Sequence, residues 1–178
     1  MAPLNDWEKN GKTRQTDNKG QVKENNGMMT IKRTNSNNTD FHLLVKELDK
    51  DLHNRYGQLQ QFYNQFNKIE NNPNVVIAYI NDEAAGCGCF KQFDESSVEI
   101  KRMFVSNEHR GKGIGAAILT ALEKWAAELG QEATVLELGN NQPEAICLYK
   151  KQGYTIIPNY GQYLGMEGTS ICLKKELT

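Results

Sequence analysis

The stretch Val105-Ser-Asn-Glu-His-Arg-Gly-Lys-Gly-Ile-Gly115 restricts the fold of this chain more than any other segment. β-forming residues from Val98 to Val105 lead into it. Ile114, Ala117, Ile118, Ala121, Leu122, Trp125 and Leu129 follow at three- and four-residue steps, one apolar helical stripe that Gly130 stops. A strand therefore passes through a glycine loop straight into a helix. Glycines at 111, 113 and 115 let backbone amides approach an anion without a Cβ in the way. The helix start adds unpaired N–H groups and the positive end of its dipole. Arg110 and Lys112 bring further positive charge. The pattern predicts a phosphate-binding loop, since a plain turn needs neither three alternate glycines nor two bases.

The rest of the chain sets the frame around that loop. Its 178 residues suit one domain, large enough to bury a core without disulfides or metal. Residues 1–28 are almost wholly polar and read as a flexible tail or leader, leaving 29–178 as the folded domain. A short strand is expected from Met29 to Lys32. After Thr39-Asp40, which offer an N-cap, Phe41, Leu44, Val45, Leu48 and Leu52 trace an amphipathic helix as far as Gly57. Leu59, Phe62, Phe66 and Ile69 suggest a second helix, ended by Pro73. Val75–Ile80 and Ala84–Phe93 flank a turn at Asn81-Asp82-Glu83 and read as a hairpin. Ala133–Leu138 is a short buried strand, Pro143 opens a helix through Gln152, and strands follow at Tyr154–Ile157 and Ser170–Leu173. Three consecutive strands before the long helix argue against a simple βαβ repeat. They favour a mixed sheet.

Composition removes several functions. Lys+Arg number 21 against 22 Asp+Glu, a net charge of −1, so a strongly basic nucleic-acid binder is not expected. No apolar run approaches the length of a membrane span, and the N-terminus has no basic-then-apolar signal pattern, so a cytoplasmic protein is expected. Cys87 and Cys89 stand two apart on one strand face with no second Cys/His cluster, and His42, His53 and His109 are scattered. Packing, not zinc, is the expectation, and no metal is predicted.

Gly111-x-Gly113-x-x-Ala116 also satisfies a dinucleotide fingerprint, with Glu137 as the acid closing the next strand. Too much chain precedes this unit and too little follows for a doubly wound sheet, and the Gly-Lys-Ser/Thr ending of a P-loop is missing. Arg110-x-x-Gly113-x-Gly115 after a strand instead resembles the acetyl-CoA loop of the GNAT superfamily of N-acetyltransferases. Leu136-Glu-Leu-Gly-Asn-Asn-Gln-Pro-Glu-Ala-Ile-Cys-Leu-Tyr-Lys-Lys-Gln-Gly-Tyr154 resembles that family's fifth strand and fourth helix, and the likeness extends over about residues 29–175. The ending Pro158-Asn-Tyr-Gly-Gln-Tyr and Ser170-Ile-Cys-Leu-Lys-Lys further resembles a bacterial small-protein subgroup of that family.

The resemblance implies an α+β fold, a mixed and mostly antiparallel sheet flanked by helices in three layers, and acetyl-CoA as co-substrate. It places the pantetheine arm on the backbone of Met103, Phe104 and Val105, and the pyrophosphate on amides from Gly111 through Ile114 and Gly115 to Ala116. Arg110 and Lys112 stand ready for phosphates or as solvated charges. Asn141 matches a pantetheine contact and equally suits a helix N-cap. Tyr149 matches the usual general acid, which protonates the departing thiolate. Glu99 matches a base that removes the proton from an ammonium acceptor; Glu137 is its rival, and ion pairing of Glu99 with Lys101 or Lys91 is the alternative. The implied reaction is direct acetyl transfer to a primary amine, of a small molecule in the first instance. A protein N-terminus or lysine, or acyl-CoA binding without catalysis, are the other readings. Homodimerisation stays open.

Overall fold

A computed structural model describes residues 28–58 and 69–177, together with the backbone of residues 13–16 and 22–25. Within the segment read as a tail, β1 (Thr13–Thr16) and β2 (Val22–Asn25) pair antiparallel with each other and stay apart from the main sheet. That main sheet begins with β3 (Met29–Thr34), where the polar composition ends. Leu59, Phe62 and Phe66, expected in a second helix, lie outside the described residues.

Helix α1 spans Thr39–Tyr56. Its cap is Asn38, one residue earlier than expected: the Asn38 side chain accepts from the Phe41 amide at 3.1 Å. The hairpin of β4 (Val75–Ile80) and β5 (Glu83–Gln92) turns on Asn81 and Asp82 at φ +51° and +65°. Asn and Asp tolerate that left-handed backbone better than most residues, which is why the turn sits there. Then come β6 (Ser97–Val105), α2 (Ile114–Glu128), β7 (Ala133–Gly139), α3 (Pro143–Lys151), β8 (Thr155–Ile157) and β9 (Ser170–Glu176).

The seven strands run in the order β3-β4-β5-β6-β7-β9-β8. Pairing is antiparallel except between β6 and β7. Both faces are covered, which explains why β4 is apolar at every position instead of alternating. Val75 and Ile77 meet Phe41, Leu44 and Leu48 of α1 on one face. Val76 and Ala78 meet Ile118, Leu119 and Leu122 of α2 on the other, where Tyr149 of α3 also packs. This is the expected three-layer, mostly antiparallel α+β architecture.

Two irregularities in the middle of the sheet prepare the site. The β5–β6 register shifts between Cys87 and Cys89, and opposite the shift Arg102 takes φ +57°. Such a bulge bends and twists its strand. Gly88 permits it, because a Cβ there would lie 2.5 Å from Met103 Sδ. The second irregularity is larger. β6 and β7 pair at Ser97–Ala133, Val98–Thr134 and Glu99–Val135, and then part.

Candidate active site

Beyond Glu99 and Val135 the two central strands diverge. Leu136–Gly139 keep their bonds to β9 on the far side, so the backbone edges of Ile100–Val105 and Leu136–Gly139 face each other across a gap. A cleft of about 550 Å³ fills that gap. α1 supplies one wall through Leu48, Asp51, Leu52 and Tyr56, and α3 another through Ala145, Leu148 and Tyr149. Its end is the glycine loop.

At that end Gly113 caps α2 in left-handed conformation at φ +78°, and no side chain caps the helix. The first-turn amides are therefore left for a ligand. Gly111, at φ +75°, has open space where a Cβ would stand. Gly115 serves packing instead. A Cβ there would press on Leu148 Cδ2 at 3.2 Å, so the glycine lets α2 and α3 approach closely. Uncapped amides, a loop with glycine at 111 and 113 and a free strand edge fit an elongated ligand carrying a pyrophosphate at one end and amides along its arm.

The structure brings Met103, Phe104, Val105, Arg110, Gly111, Gly113, Ile114, Gly115 and Ala116 to the cleft. Lys112 does not line it; its ammonium donates to the Glu108 carbonyl at 2.9 Å. Arg110 donates from Nε to the Val105 carbonyl at 2.9 Å, and its outer nitrogen lies 3.7 Å from Asp51. Asn141 is neither in the cleft lining nor at the helix cap. Gln142 takes the N-cap position with Pro143 behind it. The backbone of Asn141 is instead tied to α1: its N–H donates to Tyr56 Oη at 3.1 Å and its carbonyl accepts from Arg55 at 3.1 Å.

The two carboxylates separate clearly. Glu99 is 3% exposed and bound on every side. Lys101 Nζ stands 3.1 Å and Lys91 Nζ 3.4 Å from its oxygens, and Tyr160 donates its hydroxyl at 3.0 Å. It is absent from the cleft lining, so the ion-pairing alternative describes its place. Glu137 lines the cleft and accepts from Ser170 Oγ at 2.7 Å. Burial pushes its carboxyl above the usual range; Ser170, Lys101 and Tyr163 pull the other way, and Glu99 adds to the rise.

Tyr149 is 6% exposed, lines the cleft and packs edge-on against Tyr154 with ring centroids 5.5 Å apart. Burial raises its phenol well above the ordinary value, so it holds its proton at neutral pH. Cys87 and Cys89 are buried beneath α1, donate to the carbonyls of Arg102 and Lys101, and have thiols raised by burial, that of Cys89 to about 12. Among the described residues no His/Cys/Asp/Glu group is arranged to hold a metal, and no helix is long and apolar enough to cross a membrane. Asp51 and Tyr56, within the segment from Asp40 to Lys68 expected to build the acceptor pocket, and His109 also line the cleft, though none was singled out by itself. For His109 the signal was the glycine loop beside it.

The profile of the Acetyltransferase (GNAT) family matches residues 41–154. The chain belongs to that family. The GNAT chain is 31% identical over 137 residues to the IAA acetyltransferase of Azospirillum brasilense, covering 75% of this chain and 88% of that protein. It is 31% identical over 93 residues to the uncharacterized N-acetyltransferase YjcF of Bacillus subtilis, covering 52% of this chain and 64%, just under two thirds, of that protein. A crystal structure from Klebsiella pneumoniae described as an acyl-CoA N-acyltransferase superimposes with TM-score 0.68 at 28% identity, over 85% of this chain and 99% of its own. A more distant chain from Salmonella typhimurium shares the fold, with TM-score 0.61 at 17% identity over 85% of this chain and 95% of its own. It was solved with its cofactor acetyl-CoA. Membership of that family makes the GNAT chain an acetyltransferase, and its split-sheet cleft, with the uncapped helix start at one end, fits acetyl-CoA as co-substrate.

Proposed function

We propose that this GNAT acetyltransferase moves the acetyl group of acetyl-CoA to the primary amine of a small molecule, by direct attack within a ternary complex. The observation that carries this reading is the cleft between β6 and β7, which has Glu137 on one strand end and Tyr149 on the helix that follows. An acceptor with a pKa near 10 arrives as an ammonium and must first lose a proton. Glu137, raised by burial yet held by Ser170, accepts it directly or through one water. The amine nitrogen then forms its bond to the thioester carbonyl carbon, and the C–S bond breaks. Tyr149 gives its proton to the departing sulfur.

The backbone edge of Met103–Val105 orients the pantetheine arm, and the amides from Gly111 to Ala116 hold the pyrophosphate. Direct attack is favoured because the protein supplies no activated thiol. Cys87, Cys89 and Cys172 are buried with raised thiols, and Cys147 has no hydrogen-bonded base among the described residues. The test is a screen of small amines for acetyl-CoA-dependent release of free thiol, followed by initial-rate kinetics on the best acceptor. Intersecting double-reciprocal lines are expected. Parallel lines would replace direct transfer with an acetyl-enzyme, and acetyl-CoA binding without any turnover would reduce the chain to a binding module.

A further inference from the structure

Lys101 and Glu137 stand level with each other where the sheet splits. The last β6–β7 pair is Glu99–Val135 in parallel register, and two residues further on each strand returns to the same face. Between the two side chains comes Tyr163, from the short 3-10 turn Gly161–Tyr163 that precedes β9. Lys101 and Glu137 line the cleft; Tyr163, 1% exposed, does not, so it lies behind them. Its turn is tied to the sheet by Asn159, whose side-chain amide donates to the carbonyls of Tyr163 at 3.1 Å and Ser170 at 3.3 Å. Lys101 Nζ donates to Tyr163 Oη at 3.1 Å, and the Gln162 amide donates there too. An ammonium has hydrogens to give and no lone pair to accept with, so the phenol's own hydrogen is left for another partner. That partner is the Glu137 carboxylate, which Tyr163 hydrogen-bonds alongside Ser170.

We propose that Tyr163, with Lys101 behind its oxygen, is a positioning residue for the base: it holds the Glu137 carboxylate as the anion that receives the acceptor's proton. This rests on Glu137 being that base, as proposed above. Burial opposes an anion at Glu137, and the charge of Glu99 on β6 opposes it further. Against them stand the Lys101 ammonium and the hydroxyls of Ser170 and Tyr163. The other titratable groups around Glu137 are neutral at pH 7. Cys172 faces it from β9, Tyr56 from α1 and Tyr160 from the turn beside Tyr163, and all three hold their protons above the ordinary range. Burial and both carboxylates raise the Tyr163 phenol as well, so it remains a donor. A cation on the phenol oxygen polarises its O–H bond and strengthens the bond to the carboxylate. Tyr163 keeps its own hydrogen throughout; the proton of the acceptor goes to Glu137.

The experiment is an NMR titration of the full chain, its glutamates labelled with carbon-13 at the carboxyl carbon. The Glu137 resonance is identified by its loss in Glu137→Gln and followed across pH with no ligand present. Tyr163→Phe keeps the ring against Tyr160, with centroids 5.7 Å apart, and deletes only the hydroxyl. Its Glu137 midpoint should lie about one pH unit above that of the wild type, the scale of a hydrogen bond to a charged group. Lys101→Gln removes the charge and retains a donor toward Tyr163, while Glu99 keeps Lys91 and Tyr160. It should move the midpoint the same way, and it carries the test if the first variant does not fold. Rates are then taken across pH with acetyl-CoA and the acceptor that the amine screen selects. The acid limb of kcat/KM in Tyr163→Phe should move up by the same interval, with the rate above it retained. An unmoved Glu137 midpoint in the folded variant would reduce Tyr163 to packing and overturn the inference while leaving Glu137 as the base. A midpoint that moves beside an acid limb that does not would remove Glu137 as the base, and the role of Tyr163 with it.

Discussion

In the proposed reaction Glu137 and Tyr149 perform opposite proton transfers, and burial acts differently on each. A raised carboxyl is a stronger base once ionised, whereas a raised phenol stays protonated at neutral pH but is a weaker acid, so its proton moves only as negative charge builds on the departing sulfur. For Glu137→Gln, turnover should drop by about 10²-fold at pH 7 and recover toward the acceptor's own pKa, where free amine forms unaided. Stability should move the other way. A folded-state carboxyl raised above its unfolded value stabilises the native state at low pH, and that contribution is lost as pH rises through the folded value. Glu137→Gln should therefore raise the melting temperature at neutral and alkaline pH and change it least in acid, as thermal melts across pH will show. Glu99→Gln loosens the contacts with Lys101 and Lys91, so it should lower stability without erasing the pH dependence of the rate. Tyr149→Phe keeps the ring against Tyr154 and should cost about 10²-fold in turnover with little change in acetyl-CoA affinity. The family resemblance left Glu99 and Glu137 as rivals because the base varies in place among relatives and the two lie on neighbouring strands. What separates them is the company each keeps. Tyr160, which closes over Glu99, is 61 residues away, and Ser170, which holds Glu137, is 33 away.

Local elements were far more legible than their departures from regularity. The stripe from Ile114 to Leu129, the left-handed Gly130 and Gly153 at helix ends, and the Asn81-Asp82 turn follow from periodicity and turn chemistry that act over a few residues. The bulge at Arg102 and the parting of β6 from β7 did not, since no short-range pattern encodes which strand edge goes unpaired. The glycine loop belongs to the legible class, and its prediction is direct. Gly113→Val forces a β-branched residue to φ +78° and places a side chain at the helix start, so the acetyl-CoA-induced rise in melting temperature should vanish. An unchanged rise would move the phosphate site elsewhere. Asp51 could not be assigned from sequence, although α1 itself was. It draws Arg110 across the cleft, with the Arg110 Nε bonded to the Val105 carbonyl on the very edge that is open to a ligand. Asp51→Asn weakens that competition. It should tighten acetyl-CoA binding by about two- to fivefold, the scale of an exposed ion pair, with calorimetric affinity as the check. Weaker binding would mean that Asp51 helps to position Arg110 instead of withholding it.

At the scale of the whole molecule the sheet is two halves, β3-β4-β5-β6 and β7-β9-β8, joined by three residue pairs at one end. Toward the other end α1 reaches across the split. Tyr56 lies against Gly139, where a Cβ would collide with its ring, and accepts from the Asn141 amide; Arg55 pairs with Glu144 on α3. The open wedge between is where the main-chain groups of Ile100–Val105 and Leu136–Gly139 lack sheet partners from each other, so opening there should need less free energy than unfolding the core. A ligand laid along the wedge pairs with one edge and packs against the other, linking halves that the chain itself joins weakly. Acetyl-CoA at about 100 times its dissociation constant should stabilise the native state by about 2.7 kcal/mol. The pattern of protection is the sharper readout. Amide hydrogen exchange should slow most at residues 100–105, 111–116 and 136–139 and least in β3 and β4, which lie at the far edge of the sheet. Gly113→Val should remove the slowing in all three segments together, because the arm cannot settle along β6 once the pyrophosphate is refused. Slowing at 111–116 alone would make the loop a phosphate site detached from the split, and would separate the glycine motif from the acetyl-transfer chemistry proposed for the cleft.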